Sequence, residues 1–136
     1  MTTQDLYNNV KDEVGLEIQS ISTDTTTEGE IIDTYGYESL TYVLYSQAIT
    51  DGDYAPVIEV GNESDLSDAE AIDSDFLLGA LADASFASSD ANSTKRIGVV
   101  SEKRYIRLSI ASTNTSTGGT LGATALLGHP RRAPTE

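Results

Sequence analysis

Ser39-Leu40-Thr41-Tyr42-Val43-Leu44-Tyr45-Ser46-Gln47-Ala48 is the stretch whose reading decides the fold. Leu40, Tyr42 and Leu44 alternate with Thr41, Val43 and Tyr45, and a period of two puts successive side chains on opposite faces of a strand. Both faces carry β-formers, which fits a central strand covered on both sides. The run ends at Asp51-Gly52-Asp53, a turn sequence, and residues 54–60 return as the next strand with Pro56 near its start. The two strands and their turn read as a hairpin.

The same pattern spreads outward. Toward the N-terminus, Leu16 and Ile18 alternate with Glu17 and Gln19, the phase slips at Ser20-Ile21 as at a bulge, and Ile31-Ile32 marks a short strand. Toward the C-terminus, Ile106, Leu108 and Ile110 point inward while Tyr105, Arg107 and Ser109 point outward. Leu121, Ala123, Ala125 and Leu127 form a last strand whose small side chains suit close approach of another sheet. Seven or eight short strands without amphipathic helices between them predict an all-β fold, an antiparallel β-sandwich with the jelly roll as one form of it. Residues 15–128 make up this domain. Residues 1–14 read as an arm or short helix, with Leu6, Val10 and Val14 in one narrow stripe. Residues 129–136 read as an extended, proline-stiffened tail.

Composition excludes more than it suggests. The 136 residues contain no cysteine, which removes disulfides, thiolate metal sites and cysteine nucleophiles together. A net charge of −14 argues against nucleic acid as a partner. No apolar run approaches the roughly 20 residues of a membrane helix, and the polar Thr2-Thr3-Gln4-Asp5 gives no sign of a secretory leader. The charge is unevenly laid out. Residues 1–94 hold Lys11 against 20 acids, a net of −19; residues 95–136 hold seven bases against Glu102 and Glu136, a net of +5. Such a chain can meet copies of itself or a larger assembly with opposite signs facing.

No catalytic constellation is legible. His129 is the single histidine, set between Gly128 and Pro130 without a second metal ligand in view, and reads as a structural or interface residue. Asp65, Asp68, Glu70, Asp73 and Asp75 are oxygen donors that calcium would accept, but the EF-hand spacing is absent and a solvated acidic loop is the simpler reading. No metal and no cofactor are expected. The residues expected to carry function are Tyr105 and Arg107 as an outward patch, Arg104 at the strand's start, and His129, Arg131 and Arg132 in the tail, because arginine and tyrosine are enriched where proteins grip one another. Arg104, on the side of Ile106, has the alternatives of capping the strand end or pairing with an acid.

Several motifs carry a resemblance. They are Asp5-Leu6-Tyr7-Asn8-Asn9-Val10-Lys11, Gly36-Tyr37-Glu38-Ser39-Leu40-Thr41-Tyr42-Val43, Ile49-Thr50-Asp51-Gly52-Asp53-Tyr54-Ala55-Pro56, Ser101-Glu102-Lys103-Arg104-Tyr105-Ile106-Arg107-Leu108, and Leu126-Leu127-Gly128-His129-Pro130. Over residues 5–134 the chain resembles the small head-associated structural proteins of tailed bacteriophages, commonly regarded as decoration or cement proteins on the capsid exterior. The segments around 62–75 and 80–93 fit the pattern poorly and would be variable outer loops. The resemblance implies a non-enzymatic virion part, made in the host cytoplasm, whose partner is the major capsid protein; a homo-oligomer is expected as well. Two rivals remain: a sugar-binding module stacking its ligand on Tyr35, Tyr37 and Tyr54, and a head–tail connector or tail component, which copy number per virion separates from a shell protein.

Overall fold

The strands follow from the alternation, and their pairing makes them a jelly roll. A computed structural model describes residues 6–100 and 103–131. Among the described residues there are nine strands: β1 Val10–Ile21, β2 Thr26–Asp33, β3 Tyr37–Ile49, β4 Asp53–Gly61, β5 Glu70–Ala71, β6 Leu77–Leu78, β7 Thr94–Val99, β8 Tyr105–Thr113 and β9 Gly119–Pro130. One sheet has the order β1-β9-β3-β7-β6 and the other β2-β8-β4-β5. Every pairing is antiparallel. The pairs β1·β9, β2·β8, β3·β7 and β4·β5 are nested, first with last and inward, as when one long double ribbon is rolled up.

The inward positions of both sheets meet as the core. Leu40, Tyr42, Leu44, Ile97, Leu121, Ala125 and Leu127 come from the first sheet; Ile32, Ile58, Ile106, Leu108 and Ile110 come from the second. In the loop at 80–93, Ala84 and Phe86 are buried in the core, and Phe86 exchanges backbone hydrogen bonds with Tyr54 at 2.8 Å in each direction.

Three expectations are corrected here. β3 and β4 are not a hairpin, since β3 pairs with β7 and β9 while β4 pairs with β5 and β8. The Asp51-Gly52-Asp53 turn carries the chain from one sheet to the other. β3 is central but covered on one face only: Thr41, Val43 and Tyr45 are half-buried, with no second layer over them among the described residues. Of the N-terminal segment, residues 1–5 lie outside the described residues; in the part described, Tyr7–Asn9 form one 3-10 turn and Val10 begins β1, so residues 10–14 are strand rather than arm or helix. Pairing of Val10–Val14 with Gly128–Thr124 supplies backbone partners that a helix weakened by Asn8-Asn9 cannot match.

The acidic segment is solvent-exposed, as a solvated loop should be, and is ordered by its own turns. Asp68 accepts from the amides of Asn62 and Glu63, and Asp65 from that of Ser67, so each carboxyl is held below its usual range by the N–H groups it receives. Leu66 adopts a positive φ of 55° and is buried, pegging the loop back to the body.

Candidate functional site

At one end of the sandwich the β2–β3 turn meets the start of β8 and the end of β9. Arg104 lies just before β8 and clamps the turn from below. Its Nε and one terminal nitrogen donate to the two oxygens of Asp33, each at 2.8 Å. Its carbonyl accepts from the amide and hydroxyl of Thr34 at 2.9 and 2.7 Å. This fork-to-fork pairing holds the Asp33 carboxyl below its usual range and the guanidinium above its own. The alternative of an acid partner for Arg104 is the geometry found.

Tyr35 sits on top of this clamp. The Arg104 guanidinium is 4.9 Å from its ring centroid and that of Arg131 is 5.7 Å away. Arg104 is also 5.1 Å from the ring of Tyr105. Arg131, at the exit of β9, donates from Nε to Glu38 at 2.8 Å, and its amide donates to the carbonyl of Gly36. Beside it His129, at φ 49°, shares a 2.8 Å hydrogen bond between Nδ1 and the Ser39 hydroxyl. Tyr35 is therefore gripped by two cations yet 69% exposed. Turn and bases meet although 69 and 96 positions separate Tyr35 from Arg104 and Arg131 in sequence, which is why the sequence placed Tyr35 in a different hypothesis.

Of the sequence-predicted residues, Arg104, Tyr105, His129 and Arg131 converge on this rim. Arg132 lies outside the described residues. Arg107 does not join them as a free patch. It shares the outward side of β8 with Tyr105, but one terminal nitrogen bridges Glu28 at 3.0 Å on β2 and Glu59 at 3.1 Å on β4. Its side chain is 16% exposed, and its Nε is buried without a partner. The charge-reversal Arg107→Glu would set three acids side by side, so it perturbs folding before it tests binding.

Of the described bases in the last third, all but Arg96 behave like Arg107. Lys95 pairs with Asp90, Lys103 with Glu70, Arg104 with Asp33 and Arg131 with Glu38. The cationic segment is thus matched to acids of its own chain, and the expected large opposite-sign surface is not formed by these residues.

Elsewhere the chemistry is sparse. A cleft of about 340 Å³ lies between Val60, Ile72, Phe76 and Lys103, with Glu70 and Asp73 on its wall. Among the described residues no three His, Cys, Asp or Glu side chains converge to hold a metal ion. The three-tyrosine platform for a sugar fails on geometry. Tyr54 is fully buried and donates its hydroxyl to the Asp51 carbonyl at 2.9 Å, at the opposite end from the Tyr35 turn.

Fold and rim together define a jelly-roll β-sandwich that presents a cation-clasped tyrosine at one end. No family model matches the chain, and no curated protein matches it. Among solved structures it is similar to the SPBc2 prophage-derived protein YomS, with 10% sequence identity and a TM-score of 0.48 over 87% of this chain and 93% of that chain.

Proposed function

We propose that the protein is a non-enzymatic structural component of a tailed-phage virion, which binds the assembled capsid as a decoration or cement protein and stabilises the shell. The observation that carries the reading is the Arg104–Tyr35–Arg131 clasp. It places an exposed aromatic ring between two arginines, and tyrosine and arginine dominate the energetics of protein interfaces. A ring flanked by two cations has fewer orientations to give up on docking than one free in solvent. The motif resemblance supplies the nature of the partner, the major capsid protein.

The mechanism is avidity. Modest contacts repeated across a lattice are multiplied by the number of sites engaged at once. A ligand that binds only the assembled shell stabilises it by mass action. The acid-rich loop at 62–75 faces solvent and keeps the protein soluble.

Co-sedimentation with purified capsids that lack the protein tests the reading. The wild type saturates the shell at a copy number in the hundreds. Tyr35→Ala, which removes an exposed ring and leaves the core intact, lowers the affinity per site about tenfold or more, as loss of an interface anchor does. Unchanged occupancy by Tyr35→Ala rejects the rim as the grip. Failure of the wild type to co-sediment rejects the capsid reading, and a count of six or twelve per particle would move it to a portal-proximal ring.

A further inference from the structure

The outer face of the first sheet is the largest feature that the rim leaves unused. Opposed residues of an antiparallel pair share a face. The register therefore aligns Val14, Thr124, Val43 and Arg96 in one row across β1, β9, β3 and β7. The next row is Asp12, Leu126, Thr41 and Gly98, with Leu78 of β6 beside Gly98. A third contains Gly122, Tyr45 and Thr94, with Ile18 lying against Gly122. Val14, Ile18 and Leu78 are 57%, 40% and 63% exposed.

In a chain with 30 charged residues, these rows hold two, Asp12 and Arg96. The outer face of the second sheet is different, with Glu28, Asp33, Glu59 and Arg107 in its rows. Arg96 is the one arginine among the described residues without a carboxylate partner, and Asp12 has no basic partner among them either. Both are exposed.

We propose that this face is the contact between two copies of the chain, packed sheet to sheet about a two-fold axis parallel to the strands. That axis lays β1 of one copy over β7 of the other, so the Asp12 edge meets the Arg96 edge twice, as an isologous interface requires. The two residues differ by one row, about 7 Å along the strands, within the reach of an arginine side chain. An axis across the strands would bring each Arg96 toward its own counterpart, so the charges select the first arrangement. A molecule of net charge −14 repels its copies everywhere except where the surface is near neutral, and this face is neutral. From strand spacing and rise the face measures roughly 20 Å by 20 Å. With its relief, two copies bury on the order of 1,000 Å², the threshold of a specific interface. The inference does not rest on the capsid reading, and its test uses no capsid.

Sedimentation velocity of the full chain over a hundredfold concentration range supplies that test, with circular dichroism melts as the control for folding. The wild type sediments as a dimer. Val14→Glu, at an exposed edge position, and Leu78→Glu, at a second one, shift it to monomer. Arg96→Asp weakens the dimer about tenfold or more, and the double variant Asp12→Arg/Arg96→Asp restores it. A wild type that stays monomeric or forms a trimer, glutamate variants that both remain dimeric, or a double swap no better than the single one would each overturn the proposal.

Discussion

Tyr42 shows what a single atom can do inside this core. Its ring is fully buried on β3, packed so closely on Gly15 that a Cβ there would lie 2.9 Å from a ring carbon. Its hydroxyl is buried with no hydrogen-bond partner. Burial first, and the nearby Glu13 charge second, push the phenol far above its usual value. An unpaired buried hydroxyl costs roughly 1–3 kcal/mol of desolvation, while the ring supplies the packing. Tyr42→Phe keeps the ring and removes the orphan, so it is expected to raise the unfolding free energy by about 1 kcal/mol. Urea denaturation measures this at unchanged m-value; a lower midpoint would mean that the hydroxyl is paired. The alternation of residues 39–48 set Tyr42 on one face with Leu40 and Leu44, because that depends on local periodicity, but with β-formers on both faces it did not tell which face is the core. It did not reveal the missing partner, which depends on β1 crossing above.

At the scale of elements, most strands were legible, though not the first part of β1 at Val10–Val14, and their partners were not. A period of two is written in neighbouring residues, whereas β3 finds its partners some 50 to 90 positions downstream, and no turn sequence encodes that choice. The crossing of β1 over β2 is a case in point. Both strands slip register there, between Val14 and Leu16 and between Glu28 and Ile31. A Cβ on Gly29 would fall on the carbonyl oxygens of Gly15 and Leu108, two backbone groups that cannot swing aside. Gly29→Ala is therefore expected to destabilise the fold by about 1–3 kcal/mol or more, in contrast to a surface alanine substitution. A thermal melt that is unchanged would contradict the close crossing. The far end of the sandwich is held by carboxylates instead. Asp51 accepts from the amides of Ser116, Thr117 and Gly118 at 2.9–3.0 Å, and Asp24 accepts from the amide and hydroxyl of Thr115. These N–H groups hold both carboxyls below their ordinary value of 3.8. Folded values below the unfolded ones mean stability that is fully present above that pH and is lost as pH falls through the folded values. The melting temperature should stay level from neutrality down to about pH 5 and drop below about pH 4. Asp51→Asn should melt lower at neutral pH and lose less on acidification; a variant with the wild-type acid profile would remove Asp51 from this role.

At the scale of the whole molecule, the uneven charge layout acts mainly within the chain. The sequence showed that bases and acids are segregated, and this suggested surfaces of opposite sign. It did not show that the jelly roll folds one segment back onto the other, joining Arg104 to Asp33 across 71 positions and Arg131 to Glu38 across 93. The rim was half legible for the same reason: the arginines stood out by type, while Tyr35 reaches them only through the fold. Five bases thereby answer six acids, yet the net charge remains −14. Two opposed effects of salt follow. Screening weakens the pairs, which are mostly exposed and individually contribute little. Screening also relieves the mutual repulsion of the surplus acids, which acts over longer distances and favours expansion of the chain. At about 0.01 M salt the Debye length is roughly 30 Å and the surplus charges feel one another across the whole domain, while at 0.15 M it is roughly 8 Å. Repulsion is the longer-ranged term and involves more charges, so screening should remove more destabilisation than stabilisation. The melting temperature is expected to rise between those two sodium chloride concentrations, and to rise equally in Val14→Glu, which excludes salt-driven association as the cause. A fall would mean that the six ion pairs outweigh the net charge, and that the basic third is held to the body chiefly by charge.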